Sequence, residues 1–124
     1  MSVVDFNAAK PQYVSELYRR TIAQGQNLTV AKLEVRKGAT TQSHRHQNEE
    51  VIVVLKGKWK FHLPTGEIVL GPNQVLTISP GLEHSSEVLD DVVAIDVCTP
   101  TREDWIAQED RILHTDGDQF LWAV

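Results

Sequence analysis

Hydrophobic and polar residues alternate along the middle of the chain with the two-residue period of half-buried strands. Leu28 to Val35 places Thr29, Ala31, Leu33 and Val35 on one face, and Lys37-Gly38 turns the chain. Val51 to Leu55 is an unbroken apolar run of strand length, which predicts burial on both faces. After Gly57, Lys58 to Leu63 alternates strictly, with Trp59, Phe61 and Leu63 opposed to Lys60 and His62. Pro64-Thr65-Gly66 reads as a hairpin turn, because proline presets one dihedral and glycine supplies a positive one. Ile68 to Leu70, Val75 to Ile78, Ser85 to Leu89 and Val92 to Cys98 read as further strands. Gly71-Pro72-Asn73, Pro80-Gly81 and Asp90-Asp91 are the turns between them. The flanks carry less signal. The first dozen residues read as an arm interrupted by Pro11, and Tyr13 to Gln24 fits a helix or a strand, ended by Gly25. The tail, Thr101 to Val124, is rich in charge, with one short helix expected around Glu103 to Gln108 and Phe120, Leu121 and Trp122 expected to pack. Many short strands punctuated by Gly, Pro and Asp predict an all-β sandwich or barrel.

A chain of 124 residues suits one domain (1–124) around one core, here about 28–98. The formal net charge of −5, without a Lys/Arg cluster, speaks against nucleic acid and anionic membranes as partners. Cys98 stands alone, so no intramolecular disulfide can form, and a reducing cytoplasm is the simplest setting. The N-terminus lacks the basic and apolar regions of a signal peptide, and no apolar run reaches bilayer length.

The chemistry concentrates in Gly38 to Glu50. In an extended chain His44 and His46 point the same way, and Glu50 keeps that parity while Glu49 has the opposite one. Glu50 is therefore the expected carboxylate partner and Glu49 the fallback. His84, after the Pro80-Gly81 turn, can meet them across a barrel. Three imidazoles and a carboxylate suit Fe, Mn, Ni, Zn or Cu and leave positions open for water or substrate. The bland alternative is a solvated polar loop. Asp96 sits among apolar residues in Val93 to Cys98, sharing a face with Ala94 and Cys98, which favours a polar cavity over a solvated edge. Trp59 and Phe61 could be core or a pocket wall. His62 is expected to be exposed, His114 receives no role, and Cys98 is expected to act as a small buried hydrophobe. Arg19, Arg20 and Lys32 could meet an anionic substrate or merely charge a strand edge.

These residues resemble the cupin superfamily. Gly38, His44, His46, Glu50 and Gly57 fit every position of its first motif, and Gly81 and His84 fit the second. In that second motif the proline is displaced to Pro80 and Val88 replaces the asparagine. The resemblance covers about Leu28 to Cys98 and implies a jelly-roll barrel with one divalent metal ion on His44, His46, Glu50 and His84. A narrower likeness begins at Asp96. Asp96-Val-Cys98-Thr-Pro100-Thr-Arg102-Glu-Asp104 is similar to the ending of small cupins that linearise unsaturated uronates in pectin and alginate breakdown. Cys98 stands in place of an aromatic and Thr101 in place of a second proline. This likeness implies active-site roles for Asp96 and Arg102, with Arg102 gripping a carboxylate through two parallel hydrogen bonds. From the residues alone, Arg102 would instead pair with Glu103, Asp104 or Asp110.

The expected function is that of an isomerase or lyase acting on a small, anionic, oxygenated acid. An iron-dependent dioxygenase and a non-catalytic binding protein are the alternatives. A homodimer is the expected assembly.

Overall fold

The third strand shows how the chain builds its core. In β3 (Thr29–Val35), Thr29, Ala31, Leu33 and Val35 are buried while Val30, Lys32 and Glu34 are half-buried. The computed structural model describes residues 1–116, and the predicted packing of Phe120, Leu121 and Trp122 lies outside them. The other elements are β1 (Gln12–Tyr13), β2 (Tyr18–Gln24), β4 (Ala39–His44), β5 (Glu49–Leu63), β6 (Gly66–Leu70), β7 (Val75–Ile78), β8 (His84–Thr99) and β9 (His114–Asp116). A one-turn helix, α1 (Glu103–Ile106), and a 3-10 helix (Glu109–Leu113) precede β9.

All the strand pairings are antiparallel, and two long strands organise them. The second half of β8 lies between β3 and the first half of β5, with Asp96 opposite Ala31 and Ile52. Its first half lies between β4 and the second half of β5, with His84 opposite His44 and Phe61 opposite Ser86. Both strands therefore pass through both halves of one curled sheet, a jelly roll. The curl is made where the β5–β8 register slips between Val54 and Trp59. There Gly57 adopts φ +91°, and a Cβ on it would lie 2.1 Å from the Asp91 carbonyl oxygen, so this crossing admits only glycine. The core fills the space between the halves with Leu33, Val54, Trp59, Phe61, Ile78 and Val92 among others.

Three expectations change, and one left open between helix and strand is resolved. Tyr18 to Gln24 is a strand, because it pairs along its whole length with β3. With β1 and β9, the sheet therefore reaches beyond 28–98 on both sides. Val51 to Leu55 is not buried on both faces: Ile52 and Val54 point inward, while Val51 and Val53 are half-buried and Leu55 is exposed on the outer face. Asp90-Asp91 is a kink inside β8 and not a turn between strands, since pairing to β5 resumes on either side of it. The helix in the tail is shorter than expected, because Gln108 takes a left-handed φ of 57° and starts the 3-10 helix instead. Among the described residues no helix is long and apolar enough to cross a membrane.

Candidate metal centre

His44 ends β4 and His84 opens β8, directly opposite each other in the register. His46 lies in the loop that follows β4, and Glu50 is the first inward-facing residue of β5. These elements bring a nitrogen of each imidazole to within 4.8 Å of the others. Each ring is oriented by a backbone carbonyl. His44 Nδ1 lies 2.8 Å from the Gln42 oxygen, His46 Nδ1 3.0 Å from that of Asn48, and His84 Nδ1 2.9 Å from that of Leu82. A carbonyl only accepts, so each Nδ1 carries the proton; in the neutral ring the Nε2 of His44 and of His84 keeps a lone pair, while His46 Nε2 faces Glu50. Carbonyl partners of this kind fix metal-binding imidazoles in their tautomer.

Burial favours the neutral form of two of these rings. It pushes His44 down to about 4, outweighing the Gln42 contact, and it lowers His84 in the same way. Glu50 completes the cluster, its Oε1 lying 3.1 Å from His46 Nε2 and 3.7 Å from His84 Nε2. Glu49 is exposed. Three imidazoles and a carboxylate gathered at one spot form a donor set that could hold a divalent ion.

Glu50 also borders a second buried group, with Asp96 and Cys98. Asp96 is 2% exposed, inward with Ala94 and Cys98, and shares a hydrogen bond with Glu50. Burial, and then the Glu50 carboxylate, push Asp96 well above the usual carboxylate range. Glu50 moves the opposite way: burial opposes its charge, but hydrogen bonds from His46 and Asp96 and the nearby Arg102 keep it ionised. The two carboxyls therefore hold one proton between them. Cys98 is wholly buried, and burial first, then Asp96, raises its thiol above the ordinary range, so it stays protonated.

Arg102 enters from the segment before α1 and is buried. Its Nε and Nη2 both bond to Asp104, at 2.8 Å each, so the salt bridge weighed from the residues alone is present. That edge of the fork is occupied; the Nη1 end lies 3.6 Å from Cys98 Sγ. Burial works against the Arg102 charge, and the Asp104 carboxylate more than restores it. The Trp105 ring stacks on both Arg102 and Arg20, with guanidinium carbons 4.3 and 4.8 Å from its centre.

His44, His84, Glu50, Asp96, Arg102 and Trp105 line one cavity, whose empty volume is about 420 Å3 including its open mouth. Tyr18, Thr41, Ile52, Trp59, Phe61, Asp110 and His114 are also part of its wall. Trp59 and Phe61 thus serve as both core and pocket wall. His114, left without a role by the sequence, is 7% exposed and bridges Thr41 Oγ1 and Asp110 Oδ2. Arg20 is not at a strand edge: it is fully buried against Asp110. Its signal was available, since Arg20 shares a face with Tyr18 and Ile22, as Asp96 does with Ala94 and Cys98. Arg19 instead pairs with Glu34 at the surface, and His62 lies partly exposed beside Glu67.

The fold has solved counterparts. KdgF from a Halomonas species superposes with a TM-score of 0.78 at 22% identity, covering 84% of this chain and 99% of its own. An RmlC-like cupin from Shewanella frigidimarina also gives 0.78, at 20% identity and covering 85% and 96%. Oxalate decarboxylase from Bacillus subtilis gives 0.67 at 16% identity, covering 81% of this chain but 30% of its own. At these identities the likeness is one of fold. No curated protein matches the chain in sequence. The sequence profile of the cupin domain matches residues 31–98, more than half of the chain and the stretch that carries the histidines, Glu50 and Asp96. The protein is therefore a member of the cupin family.

Proposed function

We propose that this cupin is a metal-dependent isomerase or lyase acting on a small hydroxylated acid, and that an unsaturated uronate is the substrate to test first. One observation carries the reading. His44, His84 and Glu50 share a single cavity with Asp96 and Arg102, and His46 joins the other two imidazoles beside Glu50. The likeness to small uronate-linearising cupins in the Asp96 to Asp104 stretch, and the fold shared with KdgF, support the substrate class.

His44, His46, His84 and Glu50 would hold the ion. A bound divalent metal supplies Lewis-acid stabilisation of negative charge developing on oxygen. Arg102 holds the substrate carboxylate from its Nη1 end, while Asp104 keeps the guanidinium in place. Linearisation is a proton relocation. The anomeric hydroxyl loses its proton, the bond from that carbon to the ring oxygen breaks, and the released enolate is protonated at carbon, leaving all atoms in the product. Asp96 would carry that proton, a role supported by its burial and by its hydrogen bond with Glu50. Apolar Ile52, the strand partner of Asp96, and Phe61 line the same cavity.

The test incubates metal-loaded protein with unsaturated galacturonate and follows loss of the ring signals by NMR. Acceleration over a control containing only the metal is expected, and Asp96→Asn abolishes it. A rate equal to the control overturns the substrate assignment. Oxygen uptake measured in parallel on an electrode would point to dioxygenase chemistry.

A further inference from the structure

Trp59 is 3% exposed, and its indole Nε1–H has no hydrogen-bond partner in the protein. A buried donor left unpaired costs about 1–3 kcal/mol, and native structures rarely tolerate one without a reason. The neighbouring Phe61 does not satisfy it. The two rings lie 4.9 Å apart at 43°, far from the perpendicular arrangement that aims an N–H at a ring face. The Trp59 ring forms part of the cavity wall that also holds His44, Glu50, Asp96 and Arg102.

The register locates it along that cavity. Trp59 pairs with Val88, whereas His84 opens the same strand at the imidazole cluster. Four residues of strand separate the two levels, about 13 Å of backbone. Along this wall Trp59 therefore stands one step beyond Phe61, which pairs with Ser86, and away from the imidazole cluster.

We propose that Trp59 is a specificity-determining residue whose Nε1–H donates a hydrogen bond to an oxygen on the end of the ligand remote from its carboxylate. The ligand class follows: an acid carrying hydroxyl or ring oxygens several bonds from the carboxylate, not a short diacid. The inference rests on the proposed reading of Arg102 as the carboxylate anchor, and it sharpens the substrate class of that site.

The experiment uses the full chain, metal-loaded and labelled with 15N. The indole N–H of Trp59 is assigned by its loss in Trp59→Phe and, independently, by Overhauser contacts to the Phe61 ring. D-galacturonate, which keeps the distal oxygens but cannot undergo the reaction, is titrated in, and oxalate serves as the short acid. The Trp59 resonance moves downfield with D-galacturonate and stays in place with oxalate. Trp59→Phe, which keeps aromatic bulk, weakens D-galacturonate binding about tenfold with the metal content unchanged. Failure of D-galacturonate to bind, or binding that leaves the resonance in place with an Overhauser contact to a trapped water only, overturns the proposal. The two readings separate cleanly. Turnover of unsaturated galacturonate at wild-type kcat/KM in Trp59→Phe sinks the role of the indole and leaves the proposed function intact. A shifted indole with no turnover does the reverse.

Discussion

Arg20 and Asp110, ninety positions apart, form a two-bond ion pair at 2.7 and 3.1 Å inside the barrel. Their side chains are 0% and 2% exposed. The pair ties the 3-10 helix of the tail to β2, and the Asp110 carboxylate also meets His114. It thereby holds the tail that forms one wall of the cavity.

Removing one partner leaves the other charged and buried. Arg20→Met or Asp110→Leu alone should cost about 3–5 kcal/mol of unfolding free energy. The double variant should be more stable than either single one. Urea unfolding of all four proteins measures the coupling, and additive single effects would contradict it.

The same pair gives the protein an acid limb. Burial by itself disfavours the Asp110 carboxylate, but the His114 hydrogen bond and Arg20 outweigh it and hold the carboxyl well below the usual range. Such a group binds fewer protons folded than unfolded. Its stabilisation is complete above the unfolded value of about 4 and drains away as pH falls toward the folded one. Thermal midpoints should therefore fall more steeply below about pH 4 for the wild type than for Asp110→Asn.

Metal analysis of the purified protein should find one divalent ion per chain. His44→Ala, His84→Ala and Glu50→Ala should each weaken binding by more than the roughly 10–100-fold typical of changes behind the ligands. Exposed Glu49→Gln should leave it unchanged. Calorimetric titration of the chelator-stripped protein gives both numbers.

Arg102→Lys keeps the charge but loses the planar fork and the stack on Trp105. On the uronate substrate, kcat/KM should fall about 10- to 100-fold, since hydrogen bonds to charged groups contribute about 1.5–3 kcal/mol. Circular dichroism should be unchanged, which separates the effect from misfolding.

Gly57→Ala should destabilise by more than the ~1–3 kcal/mol of left-handed strain alone, because the new methyl meets backbone at the kink. Gly38→Ala is the control. It has φ +97°, but its nearest contact is a Leu17 methyl at 3.9 Å, so only the strain should register. Chemical denaturation of both variants checks the difference.

Much of this architecture was legible in local pattern. β3 alternates in the chain as it does in space, and Asp96 betrayed a cavity by lying on a face with Ala94 and Cys98. The choice of Glu50 over Glu49 came from parity, and the structure does turn Glu50 inward. Yet the chain leaves the strand at Arg45 to Asn48, so parity there survives a loop it was not built for. Other features depended on partners far away in sequence. Arg20 looked like a surface charge because Asp110 lies ninety residues on. His114 looked idle because Thr41 and Asp110 meet it only once β9 docks on β4. Asp104 is one of three acidic partners the sequence offers Arg102, but its hold on one edge of the fork within the cavity is visible only in the fold.

Because β5 and β8 each belong to both halves of the sheet, neither half has a boundary along which it could open by itself. Breaking one half strips hydrogen bonds from strands that the other requires. Amides in these two strands should exchange with solvent last and together, as one cooperative unit. Fraying is then confined to short edge strands such as β1 and β9, the second of which carries the cavity wall.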